Sequence, residues 1–229
     1  MELRVVYEDR DLVAFDKPAG VPVIPGRTAD GPIALRQRAE AARGEPLWVV
    51  HRLDQDTSGV VVFARSADAH RALCAAFEAR TVDKRYLALA FGDLPGARAV
   101  DLALVLARRG KARPALPGEV GAKTARTELT ARARWRLGDA TVTWLEAHPI
   151  TGRHHQIRVH LRALEAPIVG DPLYGKRTLR GAFADAPPLR LALHAARLTL
   201  PGRPPIEAPW PAELAALTTW LTTHAEALP

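Results

Sequence analysis

The sequence predicts an α+β fold built on a large mixed, mostly antiparallel β-sheet flanked by helices and loops. Strand-like runs outnumber helical ones, and the two types do not alternate as regular βαβ units. Hydrophobic residues make up 48% of the 229 residues, which is enough for a packed core. Because no stretch has the composition of a linker, we expect a single domain over residues 1–229.

Turn residues and apolar runs mark the elements of the N-terminal part. Proline and glycine fill residues 17–26, which predicts a loop, and Gly44 follows a helical pattern as a C-terminal stop. The predicted order is a hairpin of strands at 3–7 and 12–16, the loop at 17–26, a helix at 33–42, a strand at 47–50, a polar turn at 51–59 and a buried strand at 60–64.

The remaining elements are predicted in the same way. Ser66 is placed to cap the N-terminus of a helix, and Pro211 is placed at the first turn of a terminal helix whose leucines at 214, 217 and 221 share one face. The other predicted elements are strands at 85–91, 124–137, 141–147 and 191–200 and a helix at 155–164.

The net charge of +7 is concentrated in one segment, 108–136. Nine basic residues stand there against Glu119 and Glu128, which accounts for the whole net charge. Prolines and glycines predict a loop over 108–123, followed by a basic strand. Such a surface suits a phosphate-rich partner, although a charge run can also be an ordinary solvated face. We expect Arg109, Lys111 and Arg113 to bind a polyanion.

Several classes of protein are excluded by composition. Cys74 is the only cysteine, so the sequence has neither a disulfide framework nor a cysteine-based zinc site. The N-terminus lacks the apolar core of a secretory signal, and no uncharged apolar run reaches about 18 residues. We expect a cytoplasmic protein that does not span a membrane.

The turn at residues 51–59, with the sequence His-Arg-Leu-Asp-Gln-Asp-Thr-Ser-Gly, is the strongest candidate for a functional site. A structural turn needs aspartate and glycine for its backbone angles, but it does not need a histidine and an arginine beside them. Loops at strand ends are also where scaffolds present catalytic groups.

Six collinear motifs make the sequence resemble the RluA-type pseudouridine synthases, which isomerise uridine in RNA. The motifs are His51-Arg52-Leu53-Asp54 with Thr57-Ser58-Gly59, Asp16-Lys17-Pro18-Ala19-Gly20, Lys84-Arg85-Tyr86 with Gly92, the segment from Thr151 to Leu161, Gly170-Asp171-Pro172-Leu173-Tyr174-Gly175, and Leu193-His194-Ala195. The resemblance implies the pseudouridine synthase fold. It also implies an rRNA or tRNA substrate that this sequence does not specify. His154 departs from the family, which commonly has a small polar residue there.

The resemblance implies three catalytic residues. Asp54 matches the essential aspartate, which acts either as a nucleophile on C1′ or as a base on the ribose. Arg158 matches the arginine that pairs with this aspartate. Tyr86 matches the tyrosine that stacks on the uracil, and Ile157 matches the apolar residue under the base.

Further residues are expected to contact RNA or to support the site. Arg52, Arg153 and Lys176 are the candidate RNA contacts, although Arg52 could instead pair with Asp56. The predicted supporting hydrogen-bonders are His51, Thr57, His155, Gln156 and His160. The motif pairs Gly170-Asp171 and Tyr174-Gly175 are expected to shape the loop under the site and not to contact RNA.

The expected partners and cofactors are few. The histidine spacing lacks a His-Glu-x-x-His pattern, so we expect no metal, and the isomerisation requires no cofactor. The chain begins almost at the first motif, so we expect RNA to be selected without an S4 domain. We expect a monomer without an obligate protein partner. A catalytically silent RNA-binding module and a histidine-based metal hydrolase are the alternatives.

Overall fold

The computed structural model describes residues 3–26, 31–175, 183 and 185–229. The described helices and strands are, in chain order, β1 (Val5–Glu8), β2 (Leu12–Lys17), α1 (Leu35–Arg43), β3 (Trp48–Val49), β4 (Ser58–Ala64), α2 (Ala67–Glu78), β5 (Asp83–Phe91), β6 (Ala97–Asp101), β7 (Leu104–Leu106), β8 (Ala112–Pro114), β9 (Arg126–Leu137), β10 (Ala140–Pro149), α3 (Gln156–Ala163), β11 (Leu193–Thr199), β12 (Ile206–Glu207), α4 (Ala212–His224) and β13 (Glu226–Leu228).

The chain folds into two compact units, and each contains two separate segments of sequence. The first unit comprises Met1–Lys84 and His194–Pro209, and the second comprises Arg85–Leu193 and Trp210–Pro229. The single catalytic domain over 1–229 stays a prediction.

In the first unit, strands β1, β2, β4 and β11 are neighbours in this order, with β3 on β4 and β12 on β11. The pair β4–β11 is parallel, and the other pairs are antiparallel. The predicted N-terminal hairpin is confirmed as β1 and β2. Every residue of β4 is buried, which explains the continuous apolar run at 60–64 in the sequence.

Gly59 sets the close approach of β4 and β11. Its φ angle is +114°, and a Cβ at this position would lie 2.2 Å from the carbonyl oxygen of Ala195. Only glycine avoids that overlap, so the last residue of the predicted polar turn is required by the packing of β4 against β11.

The predicted C-terminal stop of α1 and the predicted N-cap of α2 are confirmed, whereas α1 begins at Leu35 and not at residue 33. Helix α1 is followed by Gly44 in the left-handed conformation, with its N–H donating to the carbonyl of Glu40. Ser66 caps α2, because its Oγ accepts a hydrogen bond from the Ala69 N–H at 3.1 Å.

In the second unit, the antiparallel strands β5, β10, β9 and β13 are neighbours in this order, with β6 also on β9. Leu214, Leu217 and Leu221 of α4 are buried against the core of this unit, as predicted. Strands β6 and β13 are not predicted from the sequence, because they are short and depend on pairing with the long strand β9. The α+β class with a large mixed, mostly antiparallel sheet is confirmed.

The prediction of a loop over 108–123 is wrong for its first part. Strands β7 and β8 form a small antiparallel hairpin around a 3₁₀ turn, Arg108–Gly110. Leu104 and Ala112 of this hairpin are buried with Val159 of α3. Burial against a helix that lies far along the chain stabilises the pairing, and local composition does not report such a contact.

Within the described parts of the chain, every helix is too short or too polar to cross a membrane.

Candidate active site

In the first unit, hydrogen bonds to the backbone define the shape of the turn that carries Asp54. The Thr57 N–H donates to the Asp54 carbonyl at 3.1 Å, which closes the turn. The Gly20 N–H donates to the Gln55 carbonyl at 2.9 Å, and the Gln55 side-chain amide donates back to the Gly20 carbonyl at 3.2 Å. The loop at 17–26 therefore stabilises the turn through these two hydrogen bonds. The Asp54 side chain is half-buried, and Arg52 is exposed.

Lys17 holds the two loops together as a buried cation. Its ammonium donates to the carbonyls of Pro18, Val21 and Gln55 at 2.9, 2.7 and 2.8 Å. An ammonium group has three protons, and three carbonyl acceptors at these distances offset much of the cost of burying the charge. The Lys-Pro motif thus shapes the backbone beside Asp54.

His51 stands at the start of the turn as a neutral imidazole. Burial, with the positive charge of Lys84 as a smaller contribution, lowers the pKa of His51 to about 3. Its Nε2 accepts a hydrogen bond from the Val62 N–H at 3.0 Å, so the ring proton is on Nδ1. The ring also stacks on Phe77 with centroids 4.7 Å apart.

The end of the turn is buried and polar. The Thr57 Oγ1 is buried without a hydrogen-bond partner among the described residues, whereas Ser58 bonds through Oγ to Nδ1 of His194 at 2.9 Å. The Nε2 of His194 lies 3.2 Å from the carbonyl of Ala208, so Nε2 carries the proton and Nδ1 accepts from the serine.

In the second unit, Tyr86 and Ile157 lie on neighbouring secondary structure. Tyr86 is half-buried on β5, opposite Ala147 of β10, and packs against the core of the unit. Ile157 in the first turn of α3 is 6% exposed and belongs to the same core.

Arg158 of α3 is fixed by Asp171. Its Nε and Nη2 donate to the two carboxylate oxygens of Asp171, each at 2.8 Å, and both side chains are buried. Burial opposes ionisation of Asp171, but hydrogen bonds from Arg158 and from the backbone of Leu173 and Tyr174 outweigh it and hold the pKa below its ordinary value. The pairing of Arg158 with Asp54 stays a prediction.

Gln156 and His160 join the start of α3 to β9. The Gln156 amide donates to the Arg126 carbonyl and to Oγ1 of Thr127, both at 2.9 Å, while its oxygen accepts from Oγ1 of Thr151 at 2.6 Å. His160 uses both ring nitrogens, one on Thr127 Oγ1 and one on the Leu102 carbonyl, each at 3.0 Å. These bonds leave His160 unsuited to ligate a metal.

His155 begins α3 in a left-handed backbone conformation, with φ of 56°. Its Nδ1 lies 2.8 Å from the hydroxyl of Tyr174, and its ring is stacked on that of His154 with centroids 3.7 Å apart. His154 in turn places Nε2 2.9 Å from the carbonyl of Gly110, in the turn of the β7–β8 hairpin. The histidine that departs from the family pattern is therefore a contact of the basic segment.

The charges of the basic segment are not all available to a ligand. Arg113 forms a two-pronged ion pair with Glu119, at 2.8 and 2.5 Å. The arginines of β9 also pair with acidic residues, at 101, 128, 146, 93 and 226. Among the described residues, Arg108, Lys111 and Lys123 have no ion pair.

Other predicted RNA contacts are placed as follows. Arg153 is half-buried, and its Nε donates to the carbonyl of Thr124 at 3.0 Å. The backbone of Arg109 is in the 3₁₀ turn, whereas its side chain and the whole of Lys176 lie outside the described residues. The roles predicted for these residues stay predictions.

Asp171 and Tyr174 contribute more than the sequence indicates. Their motif predicts only a loop, yet Asp171 anchors a buried arginine and Tyr174 contacts three parts of the second unit. The feature of the sequence that could have indicated this role is an aspartate between a glycine and a proline, in a segment that has no other charged residue. Gly170 is required there, because a Cβ would lie 2.0 Å from the Arg190 carbonyl oxygen.

Comparisons with known proteins identify the family of this chain. The family model described as RNA pseudouridylate synthase matches residues 11–163. The "Ribosomal large subunit pseudouridine synthase D" of Xanthomonas campestris pv. campestris is 42% identical over 177 residues, which are 76% of this chain and 52% of that protein. The "Dual-specificity RNA pseudouridine synthase RluA" of Yersinia pestis is 34% identical over 199 residues, which are 86% of this chain and 91% of that protein.

Solved structures show the same relationship. The structure of "Human RNA Pseudouridylate Synthase Domain Containing 4" superposes with a TM-score of 0.76 at 27% identity and covers 96% of this chain and 93% of that chain. The chain spans about half of the Xanthomonas relative. The matched residues include Asp54, Tyr86 and Arg158. We conclude that the chain belongs to the RNA pseudouridylate synthase family.

Proposed function

We propose that this chain is an RNA pseudouridine synthase that isomerises uridine in rRNA or tRNA without a cofactor. The observation that carries the proposal is the family match over 11–163, which contains Asp54, Tyr86 and Arg158 at their motif positions. One relative is named for the ribosomal large subunit and another is named a dual-specificity RNA pseudouridine synthase, which supports RNA as the substrate class.

The proposed reaction breaks the N1–C1′ bond of uridine, rotates the uracil and joins its C5 to C1′, after which the C5 proton leaves. Asp54 acts as the carboxylate, on C1′ or on a ribose proton. Arg158 favours the ionised form of the Asp54 carboxylate and orients it. The two hydrogen bonds from Arg158 to Asp171 fix the position of the guanidinium before the substrate binds.

Substrate binding requires an unstacked uridine. Flipping the base costs a few kcal/mol, which base contacts must offset. In the proposal, Tyr86 stacks on the extruded uracil and Ile157 packs beneath it, while the exposed Arg52 occupies the space that the base leaves. Arg153, Lys176 and the basic segment bind the phosphates. The neutral His51, together with Thr57, His155, Gln156 and His160, supports these groups.

The test of the proposed function is release of tritium from C5-labelled uridine in RNA. We expect wild-type protein to release tritium as water and Asp54→Asn to lower the rate by more than about a thousandfold, because the amide has neither the charge nor the basicity of the carboxylate. RNA affinity should stay within about threefold, because the substitution keeps the shape of the side chain.

Asp56→Asn is the matched control, because it makes the same chemical change two residues along the same turn. It should retain at least about half of the wild-type rate. Normal turnover by Asp54→Asn would show that the assigned mechanism is wrong, and binding without tritium release by the wild type would favour a silent RNA-binding module.

We also propose a cytoplasmic, monomeric enzyme. The absence of a membrane-spanning helix from the described residues and the single cysteine are compatible with the cytoplasm. Light scattering of the free protein and of its RNA complex tests the oligomeric state, and a dimer in both would contradict it.

A further inference from the structure

Tyr174 connects the β7–β8 hairpin to the N-terminus of α3. Its hydroxyl accepts a hydrogen bond from the Ala112 N–H at 2.8 Å, lies 3.2 Å from the Ala112 carbonyl and lies 2.8 Å from Nδ1 of His155. A hydroxyl has two lone pairs and one proton, which matches these three partners when His155 carries its proton on Nδ1. One hydroxyl therefore bonds both polar backbone groups of Ala112, which begins β8 directly after Lys111.

The ring of Tyr174 makes a separate contact, with the guanidinium of Arg158. The guanidinium carbon of Arg158 lies 5.2 Å from the ring centroid, within the range of a cation–π contact. The backbone N–H of Tyr174 donates to Oδ1 of Asp171 at 3.0 Å, and the same oxygen accepts from Nη2 of Arg158 at 2.8 Å. The ring and the carboxylate together restrict the guanidinium on two sides.

These contacts form a continuous path from the cationic turn of the hairpin to the arginine of the catalytic motif. We propose that Tyr174 is a positioning residue with two separable functions: its hydroxyl seats the hairpin that presents Lys111 to RNA, and its ring orients Arg158 for catalysis. The inference rests on the proposed function, and it assigns a role to a residue that the motif alone predicts only to shape a loop.

Two substitutions at Tyr174 separate these functions. Tyr174→Phe keeps the ring over Arg158 and removes the three hydroxyl contacts, so the hairpin loses its anchor. We expect the dissociation constant for an RNA substrate to rise about fivefold, which corresponds to the loss of about one net hydrogen bond. The value of kcat should stay within about twofold of the wild-type value. Tyr174→Leu removes the ring as well and should lower kcat by a further factor of about ten.

The control is Tyr7→Phe, which also removes a tyrosine hydroxyl, there hydrogen-bonded to Asp9 at 3.2 Å in the first unit. It should leave both constants unchanged. Thermal melting of every variant shows whether a change in the dissociation constant or in kcat results from loss of folded protein. An unchanged dissociation constant for Tyr174→Phe, or equal kcat values for the two Tyr174 variants, would overturn the inference.

A double-mutant cycle between Tyr174→Phe and Lys111→Ala tests the hairpin function. If the hydroxyl acts by seating Lys111, the loss of affinity from Lys111→Ala should be smaller in Tyr174→Phe than in the wild type. If the two substitutions change the dissociation constant for RNA by independent factors, without coupling between them, the proposal is contradicted. Wild-type protein that binds RNA but releases no tritium would refute the proposed function instead, so the two failures are distinguishable.

Discussion

Lys17 and Arg158 are buried cations, and they are stabilised by different kinds of partner. Lys17 donates to three carbonyl oxygens, which places its ammonium beside the turn of Asp54. Arg158 pairs with the carboxylate of Asp171, which offsets its charge and fixes its plane. Removing one partner of such a buried pair costs about 3–5 kcal/mol, so Asp171 is expected to be as important for stability as for the orientation of the arginine.

His51 yields a prediction about pH at this scale. Its pKa is about 3 in the folded chain and about 6.5 when unfolded, so the unfolded state binds more protons between these values. The stability that the neutral ring contributes is therefore present above about pH 6.5 and is lost as the pH falls towards about 3. Relative to His51→Gln, the free energy of unfolding of the wild type should fall by up to about 1.4 kcal/mol per pH unit.

Urea unfolding between about pH 7 and about pH 5 measures this difference. His224→Gln, a change at an exposed histidine of α4, is the control and should follow the wild type. Parallel curves for wild type and His51→Gln would show that His51 is not held neutral by the fold.

At the scale of elements, the basic segment 108–136 is a run of charge in the sequence, whereas in the structure it contributes to a hairpin and to strand β9. The arginines of β9 pair with acidic residues of β6, β10, β13 and the segment between β5 and β6, so much of their charge is offset within the fold. The turn of the hairpin retains Arg108 and Lys111 without an ion pair among the described residues. RNA affinity should therefore depend more on the hairpin turn than on the strand.

The salt dependence of RNA binding tests this distribution of charge. Lys111→Ala should reduce the slope of log K against log salt by about 1, as expected for the loss of one phosphate contact. Arg113→Ala should reduce the slope by less, because Glu119 already offsets that charge. Arg10→Ala, at an exposed arginine of the first unit, should leave the slope unchanged. A larger effect of Arg113→Ala than of Lys111→Ala would contradict this assignment.

For the whole molecule, the C-terminal part of the chain completes both compact units. Residues 194–209 supply β11 and β12 to the first unit, and residues 210–229 supply α4 and β13 to the second. The first unit is closed by the parallel pair β4–β11, in which Ala195 faces Gly59. Folding of the segment that carries Asp54 thus depends on a strand that lies more than a hundred residues along the chain.

Gly59→Ala tests that dependence. The added Cβ overlaps backbone atoms of Ala195, which are unable to move without breaking the strand pair, so we expect a loss of more than about 4 kcal/mol in stability. Gly138→Ala is the control, because Gly138 also has a positive φ of 57° but no atom within 4 Å of the added Cβ. It should cost only about 1–2 kcal/mol, measured by urea unfolding, and equal costs would contradict the packing argument.

The sequence predicts most elements and all the motif positions of the candidate site. The strands β1, β2, β4, β5, β9, β10 and β11 and the four helices follow from periodicity, caps and turn residues, because these signals are local. The hairpin β7–β8 and the strands β6, β12 and β13 do not, since short strands gain their stability from distant partners.

By itself the sequence determined the α+β class, the family and the residues at its motif positions, since each depends on residue types at fixed spacing. Only the tertiary structure decided which partner stabilises each charge. It pairs Arg158 with Asp171 and Arg113 with Glu119, and it places Tyr174 between the hairpin and α3. Hydrogen bonds and ion pairs act over about 3 Å in space and are independent of separation along the chain, so spacing in sequence does not specify them.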